Sequence, residues 1–292
     1  MRALVLSGGG AKGAYQAGAV KYLLGDCGRH YDIITGVSVG AINAAHLAQF
    51  SAGSELDAAA SLEDFWKSID TQKVYRKWYR GALWYLPTLW KPSVFDSRPL
   101  HDFLRRHLKP MAMRTSGKKL IVGAVSKSTG EYATWNENDP DIVEGVLASS
   151  AFPGFLTPVR TRDDVWADGG SRDSTPLHDA ILAGATHIDV ICCNPDFVLA
   201  RPKTLGKTLE NAEQALDAAF SEIERNDLKA ADLYNRLVSA SDAKALQRGK
   251  RYVELRVLRP SSWLLKNSLD FDPTKVVMNF TRGYTDARLA RW

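Results

Sequence analysis

The sequence predicts an α/β fold on a mostly parallel central sheet, and three features predict it. Short apolar runs alternate with longer stretches of small and apolar residues at helical spacing, glycines close the first apolar runs, and the alternation continues to about residue 195. Strands separated by helices pair in parallel through right-handed crossovers, are buried on both faces, and leave ligands to bind where the strands end. With 292 residues, 45% hydrophobic and 24% charged, the chain has ample length for a core, which excludes disordered, collagen-like and disulfide-stapled classes.

In chain order, Arg2 to Ser7 reads as a strand, Ala14 to Leu24 as a helix, Tyr31 to Thr35 as a strand and Ala41 to Phe50 as a helix. Lys119 to Val125, Asp164 to Ala167 and His187 to Cys193 read as further strands, with Ile142 to Ser149 and Leu177 to Ala183 as helices. After Pro202 the texture changes: Thr208 to Val238 is long, charged and amphipathic, Arg251 to Leu258 alternates like a strand, and Arg282 to Trp292 closes as a helix.

Charge and cysteines narrow the partners. Lys and Arg number 38 against 33 Asp and Glu, a net +5 that favours an anionic surface but is too small to indicate nucleic acid without a clustered patch. Cys27 and the adjacent Cys192 and Cys193 form no C-x-x-C pair and leave an odd number, which argues against a zinc site and a disulfide framework and fits a reducing compartment. Ala3 to Leu6 is too short for a signal peptide, and no run approaches the roughly 20 apolar residues that span a bilayer. A cytoplasmic protein, at most peripheral to a membrane, is expected; export without a cleaved signal stays open.

Gly8-Gly9-Gly10-Ala11-Lys12-Gly13 follows the first strand and opens the first helix, matching G-x-G-x-x-G. A dinucleotide site would need an acid at the end of the second strand, but Asp32 stands at its start; a Walker loop would need Lys and Ser or Thr where Ala14 and Tyr15 stand. Gly36-Val37-Ser38-Val39-Gly40 lies between a strand and a helix, as a nucleophile elbow requires. Its glycines have a steric reason, because a Cβ at either position would crowd backbone around a strained serine. Turns after adjacent parallel strands lie side by side, so the amides of Gly9, Gly10 and Ala11 are expected to face Ser38 as an oxyanion hole.

The base is harder to read. A Ser-Asp-His triad of the α/β-hydrolase kind is disfavoured, since only two strands precede Ser38, and none of His30, His46, His101, His107, His178 and His187 stands out. Asp168-Gly169-Gly170 does, ending a strand with glycines that admit a close backbone; Asp173 is the fallback. A carboxylate of ordinary pKa near 3.9 is a weak base, so a dry site must raise its basicity.

Together these segments resemble the patatin-like phospholipases, which combine a glycine-rich oxyanion loop, a G-x-S-x-G elbow and a D-G-G/A motif. All three stand here in family order as Gly8 to Gly13, Gly36 to Gly40 and Asp168 to Gly170, and Ser149-Ser150-Ala151-Phe152-Pro153-Gly154-Phe155 is similar to the segment before the acid. The resemblance covers roughly residues 3 to 195. It implies a three-layer α/β/α sandwich, a Ser38–Asp168 dyad, hydrolysis of lipid acyl esters, no metal or other cofactor, and Lys12 in the place of the family's Arg or Lys beside the oxyanion loop. Residues 1–200 are then expected to be the catalytic core and 201–292 to complete the same domain.

Between Asp70 and Asp96, Lys73, Arg76, Lys77, Arg80 and Lys91 are interleaved with Tyr75, Trp78, Tyr79, Trp84, Tyr85, Trp90 and Phe95, without an acid. Such a stretch suits the headgroup boundary of an anionic bilayer, as a lid or cap at 71–95, or forms an ordinary cap with its rings in the core. Asn136 to Asp141 lacks the Gly and final Glu of a calcium loop and reads as a polar turn. An acyltransferase or thioesterase using the same serine, and a non-catalytic nucleotide-binding module on the glycine turn, are the alternatives. Oligomeric state is not legible.

Overall fold

The computed structural model describes residues 1–79, 86–196, 207–240, 252–265 and 267–290. Among them eight strands form one sheet: β1 (Arg2–Leu6), β2 (Ile33–Val37), β3 (Lys119–Ser126), β4 (Tyr132–Asn136), β5 (Val159–Thr161), β6 (Asp164–Asp168), β7 (His187–Ile191) and β8 (Glu254–Leu258). The order is β5-β6-β3-β2-β1-β7-β8, with β4 on β3. The run β3-β2-β1-β7-β8 is parallel, whereas β4 and β6 lie antiparallel to β3 and β5 antiparallel to β6.

Helices α1 (Gly13–Lys21), α2 (Val39–Leu47), α3 (Glu55–Ser68), α4 (Thr71–Val74), α5 (Arg98–His107), α6 (Pro110–Thr115), α7 (Ile142–Ser149), α8 (Leu177–Leu182), α9 (Thr208–Ala240) and α10 (Pro273–Leu289) complete the described elements. One side of the sheet packs Leu4, Leu6, Ile34, Leu120 and Val122 with residues of α1, α2, α3, α5 and α7. The other packs Ala3, Val5, Ile33, Ile188 and Val190 with α8 and the second half of α9. This is the three-layer sandwich, with strands buried on both faces as parallel crossovers demand.

Two strands carry no clear signal in the sequence. β5 has three residues, and its hairpin to β6 turns through Arg162 and Asp163, both at positive φ (50° and 57°) without the usual glycine. β4 is half exposed and starts after the positive-φ Gly130. Asp139 and Asp141 at the polar turn pair with Arg162.

Helix α9 has an unusual inner stripe. Glu213, Asp217, Phe220, Glu224, Ala231, Asn235 and Val238 recur at helical spacing and are all buried, so acids share the face that packs inward. Helix α10, capped by the Asp272 carboxylate on the Thr274 and Lys275 amides, crosses α1 with backbones touching: a Cβ on Gly18 would lie 1.9 Å from Phe280 O, and one on Gly283 1.9 Å from Tyr15 O.

In the basic-aromatic stretch, Arg80, Trp84 and Tyr85 lie outside the described residues, as do 197–206 around the expected boundary at 200, Arg251 and Trp292. Tyr75 and Phe95 stack at 4.4 Å and pack against the core, and Arg76 pairs with Asp96, so these act as an ordinary cap. Lys91 lies over the Trp78 ring, while Tyr79, Leu89 and Trp90 stay exposed.

Candidate active site

Strand register brings the pieces together. Leu6 pairs with Gly36 and Val37 with Gly123, so the turns after β1 and β2 lie side by side. Ser38 joins β2 to α2 at φ 58° and ψ −127°, a conformation that costs a side chain on the order of 1–3 kcal/mol. The elbow leaves no room for a Cβ beside it: one on Gly36 would lie 2.2 Å from Gly40 O, and one on Gly40 2.2 Å from Leu6 O. The Ser38 N–H donates to Ser149 Oγ at 3.0 Å, at the end of α7. The strain is thus held by backbone contact on one side and a side-chain bond on the other.

Asp168 ends β6 opposite Ala124, one residue beyond the Gly123–Val37 pair, which puts it level with Ser38. Ser38 Oγ donates to Asp168 Oδ2 at 2.7 Å, and the Gly170 N–H donates to Oδ1 at 2.9 Å. Gly169 lets the chain turn against β3, since a Cβ there would meet Gly123 O at 2.2 Å. Burial pushes the fully enclosed Asp168 carboxyl up to about 7, against the opposing bonds from Ser38 and Gly170. The fallback Asp173 faces Asp227 instead; burial, then the Asp227 charge, pushes it up to about 8.

Within Gly8 to Gly13, several amides are already bonded. The Ala11 N–H donates to Ser268 O at 2.7 Å, so it is occupied in this structure. Gly8 donates to Ser174 O and Lys12 to Gly9 O. The Gly9 and Gly10 amides make no backbone bond to the described residues, and both glycines line a cavity with Ser38. Their glycines are needed: a Cβ on Gly9 would meet the Cys193 side chain at 2.4 Å, and Gly10 has φ +58°. Gly13 packs under Val39 and Trp66. The Lys12 side chain is buried, donates to Asn194 Oδ1 at 2.8 Å and lies 3.9 Å from Asp217.

The cavity at Ser38 is apolar, walled by Ile42, Trp66, Leu100, Phe152, Phe220 and Phe271, and holds about 50 Å³. Ligand pockets usually measure about 300–1,000 Å³, so this cavity is small by comparison. An apolar, water-poor setting of this kind strengthens the attraction between a developing oxyanion and amide dipoles.

Histidines go elsewhere. His46 bonds Ser61 Oγ and is pushed down to about 4 by burial and by His107; His107 bonds Phe103 O, His101 bonds Ser97, and His187 pairs with Glu254. Ser149 lies in the segment that resembles the family, which is the one signal for it. Nothing local in the sequence marks Glu213, Asp217, Ser268 and Asn194 as neighbours of Lys12 and Ala11.

Residues 4–181 match the family model described as patatin-like phospholipase. The cGAMP-activated phospholipase of Escherichia coli strain TW11681 is 26% identical over 208 residues, covering 62% of this chain and 55% of that protein; the chain therefore spans about half the length of this curated relative. Among solved structures, VipD from Legionella pneumophila aligns over 99% of this chain and 66% of its own at 14% identity and a TM-score of 0.46. The type III effector ExoU aligns over 84% and 57% at 18% identity and a TM-score of 0.34. Among the described residues no helix is long and apolar enough to cross a membrane.

Proposed function

This chain belongs to the patatin-like phospholipase family, and from that premise we propose that it is a serine acyl hydrolase cleaving fatty acyl esters of phospholipids through Ser38 and Asp168. The observation that carries the reading is the 2.7 Å bond from Ser38 Oγ to a carboxylate sealed from water. Ser38 Oγ attacks the ester carbonyl as its proton passes to Asp168 Oδ2. The carbonyl oxygen, now negative, is met by the Gly9 and Gly10 amides, each donor typically worth about 3 kcal/mol of barrier. The intermediate collapses, the leaving alcohol takes the proton from Asp168, and Ser38 holds the acyl group as an ester. Water, deprotonated by Asp168, then repeats the attack, and collapse frees the fatty acid as Ser38 Oγ takes the proton back from Asp168.

Family membership supports a lipid substrate, and the apolar walls support an acyl chain as the buried part. Exposed Tyr79, Leu89 and Trp90 support docking on an anionic membrane surface. The contact of β8 with β7 and of α10 with α1 supports reading 1–200 and 201–292 as one catalytic unit.

A fluorophosphonate should label the protein and fail on Ser38→Ala, with fatty acid release falling at least about 10³-fold. Release from phospholipid vesicles and not from acyl-CoA separates the hydrolase from the thioesterase or acyltransferase. Because only the ionised Asp168 accepts a proton, kcat/KM should rise with pH through about 7 and then level. A flat profile, or labelling retained in Ser38→Ala, would sink the reading.

A further inference from the structure

Besides the Phe220 and Phe271 walls, the described residues after 207 reach the oxyanion loop itself through one carbonyl. Ser268 O accepts the Ala11 N–H at 2.7 Å and presses so closely on Gly10 that a Cβ there would lie 2.2 Å from it. Ser268 is itself buried and held twice by α9: its N–H donates to Glu213 Oε1 at 2.7 Å, and its Oγ donates to Asp217 Oδ1 at 2.8 Å. Asp217 also faces the Lys12 ammonium at 3.9 Å. The turn Gly10–Lys12 is therefore gripped at both ends, at the Ala11 amide by Ser268 and at the Lys12 side chain by Asp217. Buried ionic groups contribute little net stability, but they fix geometry where partners are well placed.

We propose that Ser268, held by Glu213 and Asp217, is a positioning residue for the oxyanion loop: its carbonyl takes the Ala11 amide and fixes the turn at Gly10 so that the Gly9 and Gly10 amides face Ser38. The proposal rests on the hydrolase reading of Ser38 and extends it to a region outside the family match. Donors must be held within about 0.5 Å to serve a developing charge. Loosening them affects the transition state more than the bound ester, so the loss falls on kcat and not on KM.

The test compares wild type with Ser268→Ala, Glu213→Ala and Glu213→Gln on a soluble short-chain ester, counting active sites by fluorophosphonate titration so that unfolded protein does not contribute. Losing a whole oxyanion donor costs about 10²–10³ in kcat. Misaiming donors should therefore lower kcat about 10-fold in Ser268→Ala and Glu213→Ala, with KM within about 2-fold. Glu213→Gln keeps an acceptor for the Ser268 N–H and should stay within about 2-fold of wild type. Affinity for a trifluoromethyl ketone, which forms an oxyanion on the serine, should fall by the same factor as kcat/KM.

An unchanged or raised kcat per titrated site, a loss confined to KM, or Glu213→Gln as poor as Glu213→Ala would overturn the proposal. Should Glu213→Ala fail to fold, Ser268→Ala, which keeps the carbonyl and loses only the Oγ hold on Asp217, decides alone. A wild type that neither hydrolyses esters nor takes the label would instead overturn the reading of Ser38.

Discussion

The two flanks of Ser38 are secured by different means. On the strand side, Gly36, Gly40 and Gly169 let backbones meet directly, and a single methyl at any of them would overlap a carbonyl oxygen. On the side of residues 207–290, α9 reaches in with Glu213, Asp217, Glu224 and Asp227, whose oxygens hold Ser268, face Lys12 and Arg259, and accept the Ser174 and Thr175 amides. Shape holds regardless of pH, whereas carboxylates hold according to their ionisation. One flank is therefore constant and the other conditional.

The contrast breaks most sharply at the elbow. Gly40→Ala puts a Cβ 2.2 Å from Leu6 O and 2.7 Å from Ser7 O, neither of which can yield without parting β1 from β2. A loss of more than about 3 kcal/mol in urea unfolding is expected at every pH. A cost below about 1 kcal/mol would mean that the elbow is not sterically fixed.

On the conditional flank the effect is smaller and follows pH. Burial pushes Glu224 from its ordinary 4.5 up to about 7, against the pull of Arg259. Its folded pKa is raised, so the folded state keeps a proton that the unfolded chain has released, and stability falls as pH rises from about 4.5 to about 7. Glu224→Gln removes that slope. Between pH 4.5 and 8 the wild type should lose about 2–3 kcal/mol more than the variant, read from urea midpoints at both pH values. Parallel pH profiles would show that Glu224 titrates as it does in the unfolded chain.

The smallest effect belongs to the exposed rim. Trp90→Ala should change stability by less than about 0.5 kcal/mol, since the ring is 62% exposed, yet weaken binding to anionic vesicles several-fold. Vesicle binding unaltered by the change would leave membrane docking without support from this patch.

Most of the constant flank was legible in the sequence because its causes are local. Gly36 and Gly40 bracket Ser38 within five residues, and Asp168-Gly169-Gly170 ends an apolar run, so spacing alone states the steric requirement. The conditional flank was not legible. The stripe from Glu213 to Asp227 reads as one more charged helix face until the fold turns it inward, and Ser268 acts through a main-chain oxygen that its side chain does not announce. The partner of the Ala11 amide is hidden for the same reason, because it lies 257 positions away, between Ala11 and Ser268. The hairpin at Arg162 and Asp163 hides its turn by using φ > 0 without glycine.

The crossing of α1 and α10 at Gly18 and Gly283 has a consequence for biosynthesis. Chains emerge from the ribosome amino end first, and the helix that continues the glycine loop, already packed on α2 and α3, gains its last neighbour once Pro273–Leu289 has been made. A growing polypeptide thus carries a nucleophile whose cradle is incomplete, and ribosome-bound chains stalled before residue 273 should take up less fluorophosphonate than released protein.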